Sequence, residues 1–128
     1  MLETDDVLRL LVQSFPQVRT ELLKDADDWL RDDGTLSPCM IFATASYVVA
    51  DRIMHGEFDR LAELFGVVEQ LLTEGTEQVR EAAATYFLEN LTNRESLDSR
   101  LYVPLMGNKS KAYCRALDDF AGVKTPGL

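Results

Sequence analysis

The chain has one histidine, two cysteines, seven glycines and four prolines in 128 residues, and each scarcity excludes something. Cys39 and Cys114 stand far apart with no CxxC pair and no clustered histidines, so a thiolate zinc site is not expected. A reducing cytosol disfavours a disulfide between them, which leaves two buried thiols acting as small hydrophobes. Sparse glycine and proline, with 46% hydrophobic residues, exclude disorder except at the ends. The longest apolar run, "CMIFATASYVVA" at residues 39–50, falls short of the roughly 20 residues that span a bilayer. The opening "MLETDDVLRL" is acidic and lacks the basic region of a secretion signal, so the chain reads as cytoplasmic, with no membrane partner. GxSxG, HExxH and GxGxxG are missing, and "GNKS" at 107–110 lacks the upstream glycine of a phosphate-binding loop.

What is present is acid. The net charge is −9, and residues 1–75, with 15 acidic and 6 basic side chains, carry all of it; residues 76–128 hold 7 of each. Nucleic acid would be repelled by such a surface. A basic protein partner would be attracted, since complementary charge speeds encounter and aids selection. The bland reading of the same charge is solubility alone.

Period-two alternation is absent, and the apolar spacing is helical throughout. Thr4 reads as the N-cap of a first helix, with Asp5 and Asp6 in its first turn and Val7, Leu8, Leu10, Leu11 and Phe15 as its apolar set. Pro16 starts a second helix expected to run to Gly34. Ser37 and Pro38 open a third, stopped by Gly56 and apolar nearly all round, hence central. A fourth, 57–75, places Phe58, Leu61, Leu64, Phe65, Val68, Leu71 and Leu72 on one stripe. Thr76 caps a fifth, "EQVREAAATYFLENL". Pro104 and Gly107 interrupt residues 94–107, and Asn108 caps a last helix before a frayed tail. The expectation is an all-α fold: one domain over 1–122, a single compact bundle of five to six helices, and a loose tail at 123–128. Helices four and five resemble one hairpin of the HEAT or armadillo type, but no period near 40 residues repeats.

Glu89 and Asn90 are the polar residues inside "YFLENLTN" (86–93). On a wheel of about 100° per residue, Val79, Ala83, Tyr86, Phe87 and Asn90 share one arc, so Asn90 should face the core and find backbone partners. Glu89, near the negative end of the helix dipole, should pair with a cation or with backbone amides. Neither has a second acid, a histidine or a nucleophile in sequence reach, so both read as structural, and no catalytic residue is assigned. His55, four residues after Asp51, reads as a cap on helix carbonyls; a single imidazole is poor evidence for a metal, and no metal or cofactor is expected. In "DADDWLRDDG" (25–34), Asp25, Asp27, Asp28, Asp32 and Asp33 surround Trp29. Trp29 and Leu30 occupy the places where a calcium loop needs an oxygen ligand and a glycine, so that motif fails. The bland reading is a solvated helix end with Trp29 turned inward. The functional one is an anchor surface, an aromatic ringed by charge.

"SFPQV", "FATASYVVADRI", "LAELFGVVEQLLTEGTEQVREAAATYFLENLTN" and "LMGNKSKAYCRALDDFAG", in that order, resemble a domain-of-unknown-function family of small, helical, mostly bacterial proteins. The resemblance spans about residues 14–122, with the "FLENL" ending and the closing "AYCRALDDFAG" its most specific parts. It implies the helical fold and a bacterial cytosol; some members look like immunity proteins of polymorphic toxins. It supplies no catalytic residues.

The expectation from all of this is a non-enzymatic binding protein. One form is an immunity protein whose acidic half occludes a basic, possibly nuclease, toxin by one-to-one docking, with Asp27, Asp28, Trp29, Asp32, Asp33, Glu57 and Asp59 as contacts. The other is a helical scaffold or adaptor that takes a partner helix in an apolar groove between the third, fourth and fifth helices. An enzyme using Glu89, or Asp51 with His55, would need a pocket in which one of them titrates abnormally.

Overall fold

A computed structural model describes residues 1–24 and 26–128; the expectation for Asp25 lies outside them. The described residues are helical, with two isolated bridges and no strand. Among the described residues there are eight α-helical segments, where five to six helices were expected: α1 (Thr4–Ser14), α2 (Pro16–Lys24), α3 (Ala26–Trp29), α4 (Pro38–Met54), α5 (Leu61–Glu74), α6 (Glu77–Ala82), α7 (Asn90–Thr92) and α8 (Asn108–Ala121). A π-helical stretch, Ala83–Glu89, joins α6 to α7, and two short 3₁₀ turns, Ser99–Leu101 and Val103–Leu105, precede α8.

The core follows the apolar spacing. Val7 and Leu11 of α1, Val18 and Leu22 of α2, Leu64, Phe65, Val68 and Leu71 of α5, and Phe87, Leu88 and Leu91 meet in one buried cluster. α4 contributes Ile41, Phe42, Ala45, Val49 and Ile53 to it, as its all-round apolarity required. At its centre Phe65 meets Phe87 edge-on at 5.7 Å and stacks on Tyr102 at 6.3 Å, geometries that add to plain area burial. α4 begins where proline and serine place it: Ser37 Oγ accepts the Met40 amide at 3.3 Å.

Four departures have local causes. Glu3, not Thr4, is the N-cap of α1, and its amide donates to Asp6 Oδ2 at 2.9 Å. The long second helix stops early: after Trp29 the chain reverses, with Leu30 bridged to Leu36 and the Ser37 amide donating to the Trp29 carbonyl at 2.7 Å. α5 starts only at Leu61, because Arg60 adopts a left-handed φ of 62°, and Phe58 is left 43% exposed outside the apolar stripe. Residues 123–128, expected as a loose tail, are hydrogen-bonded to the bundle. Asp118 accepts the Thr125 amide and hydroxyl, both at 2.7 Å, and Ser99 Oγ donates to the Pro126 carbonyl at 2.7 Å.

α8 is held from outside itself. Asn108 is its first helical residue rather than its cap, and the cap comes from the middle of α5. Glu69 Oε2 accepts the Lys109 amide at 2.7 Å, and Oε1 accepts the Ser110 amide and hydroxyl, each at 2.9 Å. Gly107 makes room for this: a Cβ there would stand 2.6 Å from Glu69 Oε1. Desolvation pushes the Glu69 carboxyl up, but the Lys109 and Ser110 donors together hold it below the ordinary glutamate range.

Its native pKa being depressed, Glu69 binds fewer protons in the folded chain than in the unfolded one. Its contribution is complete above the unfolded value, about 4.3, and is lost as pH falls through the native one. Glu69→Gln is expected to destabilise by about 1 kcal/mol at pH 7, the scale of losing one charge-assisted cap. In urea unfolding that difference should shrink toward zero under acid; a difference independent of pH would contradict the cap.

Candidate functional site

The most coherent unpartnered surface lies between α1 and α2. Val7 and Leu11 use one face of α1 for the core, while Leu8 and Val12, one residue further round, are only half-buried. They face Leu22 and Leu23 of α2 across an open groove of about 380 Å³ with Trp29 in its wall. Leu23 is 60% exposed. Asp5, Arg9, Gln13 and Arg19 form the polar rim, and Arg9 is already paired with Asp6 at 3.1 Å.

Trp29 is half-buried and packs on the core edge. Its indole Nε1–H donates to the Leu22 carbonyl at 2.8 Å. With its one polar atom satisfied internally, the ring offers only apolar surface, and its orientation is fixed before anything binds. Trp29 is therefore neither turned wholly inward nor fully exposed.

The expected contact residues separate into three groups. Asp27 and Asp28 are exposed on α3 immediately before Trp29, and Asp32 is exposed in the turn after it. Asp33 is exposed too, but its Oδ1 accepts the Thr35 amide at 2.9 Å and hydroxyl at 2.6 Å, which lowers its pKa and commits it to holding the turn. Glu57 and Asp59 belong to another loop. Glu57 is ion-paired with Arg52, Asp59 is exposed, and Arg60 ties the loop to the groove-lining Gln13 through its carbonyl at 3.1 Å. This apolar groove lies between α1 and α2, away from the α4, α5 and α6 region where one was expected. As groove residues, Leu8, Val12, Leu23 and Arg19 were not singled out by the sequence reading; Leu8 and Val12, spaced by four beside the Val7–Leu11 stripe, were the signal for a second apolar face.

Asn90 does not face the core. The π-helical stretch adds one residue to a turn and displaces everything after it, so Leu91 takes the inward place expected for Asn90. Asn90 is exposed, and its Nδ2 donates to the Tyr86 carbonyl at 2.8 Å. Glu89 pairs with neither a cation nor an amide among the described residues; its Oε2 accepts the Tyr113 hydroxyl at 3.4 Å. Burial, and then the Glu89 charge, raise the Tyr113 pKa. His55 Nδ1–H donates to the Asp51 carbonyl at 2.7 Å, and this bond, with the Asp51 charge, raises its pKa on an exposed surface. Cys39 is half-buried, and burial pushes the Cys114 thiol up to about 12, so Cys114 stays protonated. Among the described residues no group of three or more His, Cys, Asp and Glu is arranged to hold a metal ion, and no helix is long and apolar enough to cross a membrane.

A larger depression, about 640 Å³, opens between the starts of α1 and α6 and the 31–36 turn. Glu3, Asp5, Glu77 and Arg31 line it with mixed charge. Leu36 is the one apolar side chain in its lining and no aromatic is present there, so the Trp29 groove is the better candidate.

Residues 8–122 match the family described as "Domain of unknown function (DUF7674)", and the chain belongs to that family. No curated protein and no solved structure matches it.

The site makes a separable pair of expectations. Trp29→Phe keeps most of the apolar wall but loses the bond to Leu22, and should lower stability by about 1 kcal/mol in urea unfolding. Leu23→Ser changes an exposed wall residue and should stay within about 0.5 kcal/mol. Equal effects from the two would mean that the groove wall is structural rather than free.

Proposed function

We propose that this DUF7674 member is a non-enzymatic protein-binding module whose partner docks on the Trp29 groove and the acidic residues beside it. The observation that carries this reading is an open apolar wall of Leu8, Val12, Leu23 and Trp29 within an acid-rich first half. An aromatic fixed in place and bordered by charge is the composition of an interface anchor. Asp27, Asp28 and Asp32 are exposed beside Trp29 and stand for the electrostatic share; Asp59, with Glu57, is an outer contact. Asp33 supports the turn rather than the partner.

The partner is a basic protein, and no small-molecule cofactor is part of this reading. Its most concrete form is an immunity protein of the bacterial cytoplasm that occludes a toxin one-to-one. A nuclease suits an acidic inhibitor, because carboxylates can take the place of phosphates in a positive groove. The acidic balance and the family resemblance support this form. A second reading, an adaptor for a partner helix, draws on Leu8 and Val12, one turn apart on α1 and lining the groove with Leu23. The α5–α6 hairpin, of HEAT or armadillo type by its residue spacing, would then be scaffold.

The test is calorimetric titration with the product of the adjacent gene at low and high salt. Replacing Asp27, Asp28 and Asp32 together by Lys should weaken a basic partner by at least about tenfold at low salt and flatten its salt dependence. Binding that resists salt and fails only with Leu23→Asp would favour the adaptor. Binding unaffected by either set would remove this surface from consideration.

A further inference from the structure

α8 turns Ser110 and Cys114 inward and leaves its opposite face uncovered. That face carries Ala112, Ala116 and Phe120, and Val123 follows the left-handed Gly122 that ends the helix. Phe120 is 91% exposed and Val123 61%. At about 100° per residue Ala112, Ala116 and Phe120 fall within one arc. A single exposed apolar residue needs no explanation, but an aligned set on a helix face is a contact surface without its contact.

We propose that this face is where two copies of the chain meet, α8 against α8, antiparallel about a two-fold axis at Ala116. A two-fold contact must match itself, and the spacing does. Phe120 lies four residues after Ala116 and Ala112 four before it. In the antiparallel pair each phenylalanine ring therefore covers Ala112 of the other copy, where a small side chain leaves room. Charge points the same way. Arg115 and Asp119 are exposed on one flank of the face, and neither makes an ion pair within the described residues. The two-fold sets this flank against its own reverse, so Arg115 of each copy reaches Asp119 of the other. A parallel pair would instead align like charges and like helix dipoles.

α8 is 14 residues long, about 21 Å at the helical rise. One such helix pair buries less than the roughly 1,200–2,000 Å² of a stable complex. The dimer is therefore weak and concentration-dependent.

Sedimentation equilibrium of the full chain from about 5 µM to 1 mM tests this. The mass should rise from 14.4 kDa toward twice that value. Ala116→Glu, exposed and at the axis, should keep its helical circular dichroism and weaken association by at least about tenfold through like-charge contact. Arg115→Asp and Asp119→Arg should each weaken association, and the two together should restore it. A wild-type chain monomeric throughout, or a dimer indifferent to Ala116→Glu, would overturn the contact. A double variant no better than either single one would overturn its antiparallel register. None of these readouts involves the Trp29 groove, so the two surfaces stand or fall separately.

Discussion

Glu69 sets a carboxylate against the first turn of α8, where amides have no helical partner of their own. Much of the second half follows from that contact. α8 is fixed on α5, which brings Cys114 into the core and Tyr113 against Glu89. Further along α8, Asp118 takes Thr125, and the tail so anchored closes over Ser99. The glycine before α8 is part of the same contact, since a side chain at 107 would occupy the space of the carboxylate. A second such join lies between the termini of α1 and α5: the Leu2 amide donates to the Glu74 carbonyl and the Thr76 amide to the Leu2 carbonyl, both at 2.9 Å. Gly75 permits it, as a Cβ there would stand 2.7 Å from the Val79 side chain.

These joins leave α1 and α2 carrying more apolar surface than the core consumes. α1 buries Val7 and Leu11 and has Leu8 and Val12 left over; α2 buries Val18 and Leu22 and has Leu23 left over. Trp29 is oriented at the edge of that surplus by its bond to Leu22, and the reversal after it is held by Asp33 and Thr35. Rigidity of this kind lowers the ordering cost of docking, which is one physical reason for a fixed aromatic in an exposed wall.

The sequence made the helices legible wherever their signals were local. Ser37 with Pro38, Thr76 and the dense apolar run of α4 fall where capping and periodicity put them. What stayed hidden was non-local or non-ideal. Glu69 lies 40 residues from the helix it caps, a distance over which no spacing rule operates. The π-helical stretch is invisible to a wheel that assumes a constant angle per residue, and it turned the inference about Asn90 outward by one place. At the site, the acidic residues and Trp29 were readable as a cluster. Which acids are free could not be read, because Asp33 is recruited by Thr35 and Glu57 by Arg52 only once the turns have formed.

Trp29 is the only tryptophan in the chain, so its fluorescence reports the groove and nothing else. The most direct measurement is iodide quenching of that emission with and without the bound partner, using a tryptophan-free form of the partner. Docking in the groove should shift the emission to shorter wavelength and protect the indole from quencher. A complex of one-to-one stoichiometry that leaves both the wavelength and the quenching unchanged would place the partner elsewhere and contradict the account.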